Sequence, residues 1–313
     1  MEMKKTILAI AITGLFAATA AQAATVYEAD GVTIDLYGDV EVQYLNDTAK
    51  DSDKDGVILI DDADFGFGLT YDVGNGYTVG GTMEISAEDG TAELGDTFVG
   101  VSHDSYGTLT IGNQATIFDD AGISGDYEFG FDTYVGDVTD ASTQVIKYKG
   151  EWDNVYAGVA YVLSADKLKD SSHTVDANVG IRVGGLDATV FYSTGKTAAK
   201  DEVTAYILQG VYTFDAFDLG AFYANTATKD NASNVDTKDN DAYGVSGNYY
   251  MDAWNFGLGL GIVKNNVADT DSKNYYANVG YSFTSSVHVY AELGKSDADN
   301  TELGYITGVK INF

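Results

Sequence analysis

Hydrophobic and polar residues alternate with a period of two along most of the chain, which predicts β-strands with one apolar and one polar face. The last twelve residues, Glu302 to Phe313, show this pattern clearly. One face carries Leu303, Tyr305, Thr307, Val309, Ile311 and Phe313, and the other carries Gly304, Ile306, Gly308, Lys310 and Asn312. With the exception of Ile306, the second face suits water and the first suits an apolar environment.

Sixteen segments of this kind lie between turn signals, and most have about the eight to twelve residues that a tilted membrane strand needs. They are residues 33–45, 62–71, 77–86, 93–102, 107–113, 143–151, 155–162, 173–183, 186–193, 202–214, 217–224, 241–251, 254–263, 272–283, 287–293 and 302–313. The faces of three of them, 93–102, 107–113 and 202–214, are ambiguous. We therefore leave those three unassigned.

The connections between the segments alternate in length. Short turns such as 74–76, 184–185 and 252–253 alternate with long polar loops such as 114–142 and 225–240. An up-and-down barrel has this arrangement, with short periplasmic turns and long external loops. A soluble sandwich could show similar alternation, but its loops would not sort by length. The pattern predicts an all-β fold, a 16-stranded antiparallel transmembrane β-barrel.

The beginning of the chain predicts export. Lys4 and Lys5 precede an apolar run over 7–18, and Ala21-Gln22-Ala23 is a small-x-small cleavage site. We expect residues 1–23 to be a cleaved secretory signal peptide and 24–313 to form a single barrel domain. No later run approaches the roughly 18 apolar residues of a membrane helix, so a membrane would be crossed by strands.

The net charge says more about the partners of the protein than the rest of its composition does. The chain has no Cys and no Pro, so no disulfide supports the fold and no Pro interrupts its ladders. Removing residues 1–23 takes away one acidic and two basic residues from 48 and 17, which leaves 47 and 15, or a net charge of −32. This charge excludes nucleic acid as a partner and favours cations.

Two stretches resemble the general porin family of Gram-negative bacteria, the trimeric sixteen-stranded diffusion channels. Phe98–Val101 followed by Tyr106–Gln114 is similar to that family's strand-turn-strand before its third loop, and Tyr127–Tyr134 (YEFGFDTY) is similar to the family's Pro-Glu-Phe-Gly-Gly-Asp-Thr segment. The resemblance implies a homotrimer in the outer membrane, in contact with lipid and lipopolysaccharide, that passes small hydrophilic solutes. It also implies that the barrel assembly machinery reads the terminal Phe313.

In that family the third loop folds back into the lumen and sets the pore constriction. The corresponding loop here, 114–142, is rich in acidic residues: Asp119, Asp120, Asp126, Glu128 and Asp132. The alternative is an acidic loop in solvent. Tyr127 replaces the family's proline and Phe131 its second glycine, so the path of the loop can differ from that of its relatives.

The wall opposite that loop departs from the family, which places arginines there. The matching positions are Asn113 and Asp64, and 140–142 reads Asp-Ala-Ser. The remaining inward positive candidates are Lys147, Lys149, Arg182 and Lys310, whereas the inward acids are Asp35, Asp39, Glu41, Asp62, Asp64 and Glu84. We therefore predict a strongly cation-selective pore.

Other functional patterns in the sequence are less specific than the porin resemblance. Asp51, Asp53, Asp55 and Asp62 have the spacing of a twelve-residue calcium loop, but the last ligand is not Glu and no helix flanks it, so an acidic external loop is the competing interpretation. Inward aromatics could form a track for a sugar-specific channel: Tyr37, Tyr156, Phe222, Tyr250, Tyr276 and Tyr290. An enzyme needs a paired histidine, and none of the three histidines has a partner visible in the sequence. A soluble adhesin is a more distant alternative.

Overall fold

The computed structural model describes residues 23–88, 91–123, 125–130, 138–163, 173–197 and 201–313. The strands are β1 (Ala24–Ala29), β2 (Val32–Asn46), β3 (Val57–Gly74), β4 (Tyr77–Ser86), β5 (Glu93–His103), β6 (Gly107–Ala115), β7 (Ala141–Trp152), β8 (Val155–Val162), β9 (Thr174–Val183), β10 (Leu186–Lys196), β11 (Glu202–Phe214), β12 (Phe217–Lys229), β13 (Asp236–Met251), β14 (Trp254–Asn265), β15 (Thr270–Ser282), β16 (Val287–Ser296) and β17 (Leu303–Asn312). One short 3₁₀ helix, Phe118–Asp120, follows β6. Among the described residues, no helix is long and apolar enough to cross a membrane.

Strands β2 to β17 form a closed antiparallel barrel. Each pairs with its neighbours in sequence, and β17 pairs with β2 from Tyr305 opposite Asn46 to Asn312 opposite Asp39. Closure leaves no free edge in the wall, so the backbone hydrogen bonds are satisfied between strands as a membrane requires. The predicted sixteen-stranded barrel is confirmed.

A short strand that the sequence analysis did not predict, β1, lies in line with β17. Phe313 exchanges two backbone hydrogen bonds of 2.9 Å with Gly38, and β1 takes over the same edge of β2 where Ala24 pairs with Leu36. The turn between β1 and β2 is Asp30-Gly31, with φ of 54° and 78°. Such a pair favours the tight type I′ hairpin, so a signal for β1 was present in the sequence.

The two faces of the strands agree with the pattern of residues. On β2, Val40 and Val42 are exposed on the outer face, whereas Tyr37, Glu41 and Gln43 are buried on the inner face. An aromatic row crosses the outer surface of β11 to β15 beside their short turns, with neighbouring ring centroids 4.7 to 6.3 Å apart. Its members are Tyr212, Phe214, Phe217, Tyr249, Phe256, Trp254, Tyr281 and Phe283. Such rows lie at membrane–water interfaces.

The three ambiguous segments have physical explanations. Two residues of β5 lie opposite one of β4 between Met83 and Ile85, so a bulge interrupts the alternation of β5. Between Gly112 and Gln114 of β6 the register also shifts, with the extra residue in the partner β7. In β11 both faces are apolar. Its inner residues Ala205 and Ile207 are buried in a cluster with residues that follow β6.

Candidate functional site

The segment after β6, residues 116–123 and 125–130, runs along the inner face of the barrel, and we call it the inner segment. Its backbone is hydrogen-bonded to inward side chains of successive strands. Ile117 N–H donates to Asp176 Oδ1 on β9 at 3.0 Å. Gly122 exchanges two hydrogen bonds of 2.9 Å with the amide of Gln209 on β11. These bonds attach the first half of the segment to the wall.

The second half of the inner segment is held in the same way. Ser246 Oγ on β13 donates to Ile123 O at 3.3 Å, and Asn278 Nδ2 on β15 donates to Gly125 O. On β16 the carboxylate of Glu292, which is 1% exposed, accepts backbone N–H groups from residues 127–129. Hydrogen bonds to an ionised, buried acceptor are among the strongest in proteins. Five strands therefore share the anchoring of this segment.

Inward-facing glycines make room for the segment. A Cβ at any of six wall glycines would meet an atom of the inner segment at less than van der Waals distance. The pairs are Gly158 with Ile117, Gly220 with Ile123, Gly257 with Gly125, Gly280 with Tyr127, and both Gly294 and Gly304 with Phe129. These contacts join residues far apart in sequence, so no local pattern marks the six glycines as a set.

Two apolar clusters complete the packing. Ile117 and Phe118 pack against the wall residues Val145, Phe191 and Ile207. The second cluster contains Leu45, Tyr290 and Ile306, with Tyr127 and Phe129 packed on it. Ile306, the exception on the polar face of the last strand, is therefore apolar because the inner segment covers it.

The four positive groups that the sequence predicts to face the lumen are all engaged. Lys310 Nζ lies 2.8 Å from Asp39 and 3.0 Å from Glu41, and it also contacts Asp62. Lys149 pairs with Asp120 at 2.6 Å. Lys147 Nζ donates to Ala115 O at 2.7 Å, and Arg182 pairs with Glu151 at 2.8 Å and Asp187 at 2.9 Å. Each lysine or arginine predicted to line the pore is thus compensated by an acid or a carbonyl.

Along β2 to β5, inward acidic residues outnumber the inward lysines and arginine. Carboxylate oxygens of Asp62, Asp64 and Glu88 lie within 4.8 Å of one another, as do those of Glu41, Asp61 and Asp62. Asp61 was not predicted to face the lumen. It is the extra residue of a bulge, because Val42 pairs with Ile60 while Glu41 pairs with Asp62.

Glu84, Asp96 and Asn113 belong to the same part of the wall. Glu84 Oε1 accepts the Asp96 N–H at 3.4 Å, and the interruption of pairing between β4 and β5 places Asp96 beside it. Asn113 Nδ2 donates to Gly95 O at 2.7 Å, so this amide is fixed to β5. Asp35 lies elsewhere, near the short turn, where it accepts from Thr25 Oγ1 at 2.6 Å.

One acid of the inner segment, Asp126, lines a cavity of about 390 Å³ together with the wall acids Glu41 and Asp61. Burial raises the pKa of Asp119, and the neighbouring Asp120 adds to this effect. Burial also raises the pKa of Glu128, with a further contribution from Asp61.

The fifth predicted loop acid, Asp132, lies outside the described residues, as does the 1–22 portion of the predicted signal peptide.

The calcium pattern is not assembled into one site. Asp51, Asp53 and Asp55 are exposed in the loop after β2, whereas Asp62 lies in β3 opposite Glu41 and contacts Lys310. Calcium binding stays a prediction, and calorimetric titration of the refolded protein with and without Asp53→Ala tests it. No heat of binding in either protein would contradict it.

His288 is a polar residue of the barrel wall. Its Nδ1 lies 2.8 Å from Ser282 Oγ and its Nε2 lies 3.2 Å from Ser285 O. Both ring nitrogens are therefore engaged with neutral groups, and Glu292 contacts the inner segment instead of His288.

The family model for Gram-negative porins matches residues 7–301. The chain belongs to this family. It is 31% identical to Porin-like protein H of Photobacterium profundum, over 99% of this chain and 100% of that protein. It is 28% identical to a protein of Halomonas named Monosaccharide porin, over 90% and 77% of the two chains. This porin therefore belongs to the outer membrane, and its family and fold indicate a channel for passive diffusion and not an enzyme.

Solved structures agree on the fold. A loop-deletion mutant of OmpT, an outer membrane protein of Vibrio cholerae, superposes with a TM-score of 0.80 at 23% identity, covering 91% of this chain and 100% of that one. OmpF of Salmonella typhi, solved in complex with daunomycin, gives 0.74 at 14% identity, covering 93% and 100%. At these identities the likeness concerns the barrel alone.

Proposed function

We propose that this porin is a strongly cation-selective diffusion channel whose constriction is formed by the inner segment. The observation that carries the proposal is the charge balance of the wall. At the two positions where the resemblance predicts arginine, the chain has Asn113 and Asp64, and Lys310 is surrounded by three carboxylates. Acidic side chains are thus present both on the inner segment and on the barrel wall that faces it.

The expected size of the effect follows from Coulomb's law. A monovalent cation about 6 Å from one carboxylate gains about 0.7 kcal/mol at the dielectric constant of water and about 3 kcal/mol at an effective value of 20. Several carboxylates act together here, so the preference would exceed a few-fold. It would weaken with salt, because the screening length falls to about 8 Å at physiological ionic strength.

Flux into proteoliposomes tests this proposal. Two organic ions of equal size and opposite charge, together with a neutral solute of that size, would be followed at low ionic strength. We expect the cation to enter faster than the neutral solute and the anion to enter more slowly. Equal rates for the three, or faster entry of the anion, would refute the selectivity.

We also propose a homotrimer that contacts outer-membrane lipid and lipopolysaccharide. A related structure, OmpT of Vibrio cholerae in its trimer form, has a TM-score of 0.77 at 23% identity, covering 91% of this chain and 100% of that one. Phe313, exposed at the end of the barrel seam, would be the residue that the barrel assembly machinery recognises. Cross-linking in detergent should give trimers that heating dissociates; monomers alone would contradict the proposal.

A sugar-specific channel is the second candidate. It is supported by the name of the Halomonas relative and by two tyrosines, Tyr127 and Tyr290, that line the cavity. Of the six aromatics proposed from the sequence as a track, only Tyr290 is among the residues lining that cavity. Saturable block of the ionic current by a monosaccharide would favour this function, and its absence would favour the general channel.

A further inference from the structure

We propose that Tyr127 locks the tip of the inner segment onto β16 and thereby sets the size limit of the channel. This inference rests on the proposed role of the inner segment as the constriction. Tyr127 occupies the position where the family motif that this segment resembles has proline.

The first part of the lock is the backbone of Tyr127. Its N–H donates to Glu292 Oε2 at 2.9 Å, and the N–H groups of Glu128 and Phe129 donate to Oε1 at 2.9 and 2.7 Å. Asn278 Nδ2 gives the same carboxylate a fourth bond, of 2.8 Å. Proline has no N–H. A proline at position 127, as in the resembled motif, could therefore not supply the first of these three backbone donors.

The second part of the lock is the ring of Tyr127. It stacks on Tyr290 with a centroid separation of 4.0 Å and an interplanar angle of 10°. The Tyr127 hydroxyl accepts from Asn255 Nδ2 at 3.2 Å, and it lies where a Cβ on Gly280 would clash. Tyr290 in turn donates to Glu41. The ring is thus fixed to β14, β15 and β16, and through Tyr290 to β2.

The position of the ring gives the lock a functional consequence. Tyr127 and Tyr290 line the 390 Å³ cavity together with acids of the wall and with Asp126 of the inner segment. A ring that contacts three strands cannot move aside for a solute without losing its stacking partner and its hydrogen bond. Tyr127 is therefore a positioning residue that determines solute size, whereas the carboxylates determine solute charge.

Three substitutions separate the parts of the lock. Tyr127→Phe keeps the N–H and the ring, Tyr127→Ala keeps only the N–H, and Tyr127→Pro removes both. Single-channel conductance is measured with neutral polyethylene glycols of increasing size. Tyr127→Phe loses the hydroxyl bond to Asn255 but keeps the stacked ring, and because the ring is the bulk in the channel we expect it to keep the size limit of the wild type. Tyr127→Ala should admit polymers that the wild type excludes. Tyr127→Pro should in addition show current fluctuations from a loosened tip.

Tyr243→Ala is the matched control, because Tyr243 is exposed on the outer face and does not reach the lumen. Gly294→Leu displaces Phe129 and so moves the inner segment without changing Tyr127. An unchanged size limit in Tyr127→Ala and Tyr127→Pro, with Gly294→Leu altered, would overturn the inference about Tyr127 alone. An unchanged limit in all three would overturn the role of the inner segment. If Tyr127→Pro does not fold, Tyr127→Ala still decides the role of the ring.

Discussion

Asp64→Arg should convert part of the acidic wall into the basic wall that the porin resemblance predicts. Asp64 lies on the inner face of β3, with its carboxylate within 4.8 Å of those of Asp62 and Glu88. The substitution changes the local charge by two units. At about 6 Å and the dielectric constant of water, two units are worth roughly 1.4 kcal/mol, or about tenfold in the local cation concentration. A lower effective dielectric constant would enlarge the effect.

The assay is the reversal potential of the purified protein in a planar bilayer under a potassium chloride gradient. Because the anion gains what the cation loses, the local anion concentration should rise by the same factor. We therefore expect Asp64→Arg to lower the cation-to-anion permeability ratio by about 100-fold at low ionic strength. Asp53→Arg is the matched control, because it makes the same charge change at an exposed position in the loop after β2. Equal shifts for the two variants, or no shift for Asp64→Arg, would refute the assignment of selectivity to the lumenal wall.

Two further predictions concern the inner segment. Gly294→Ala places a Cβ against the ring of Phe129, so the single-channel current should change, whereas Gly210→Ala, whose nearest neighbour would lie at an ordinary 3.6 Å, should leave it unchanged. Equal currents for both variants would count against close packing of the segment. Because burial raises the pKa of Asp119 and Glu128, both carboxyls take up protons at a higher pH than exposed acids do. As the pH is lowered, cation selectivity should therefore begin to fall at a pH above the range in which exposed acids take up protons. Reversal potentials measured at stepped pH should change less in the double variant Asp119→Asn, Glu128→Gln than in the wild type.

The barrel wall could be predicted from the sequence because a strand places alternate side chains on opposite faces, and the lipid-facing and lumenal faces differ in polarity. In β14, Trp254 and Phe256 are exposed outside while Gly257 is buried inside, as the alternation indicates. The short strand β1 was missed although Asp30-Gly31 signals its turn. Its six residues fall directly after the predicted cleavage site, where no segment of full membrane length begins.

The contacts of the inner segment could not be predicted from local sequence patterns, because they join residues far apart in sequence. Glu292 binds backbone groups 163 to 165 residues earlier, and no local pattern marks a strand residue for that role. Ile306 and the apolar inner face of β11 were visible as irregularities without an explanation. Apolar residues on the lumenal face of a strand indicate that another segment of the chain packs on them. Inward glycines on neighbouring strands are a second indication of the same packing.

The most direct test of the central claim, cation selectivity, is the reversal potential of the unmodified porin across a planar bilayer as a function of ionic strength. The acidic lumen predicts a potential near the potassium equilibrium value at low salt. It should decline toward zero as the screening length shortens from about 30 Å at 0.01 M to about 3 Å at 1 M. A potential near zero at low salt, or one of the sign set by chloride, would contradict the account.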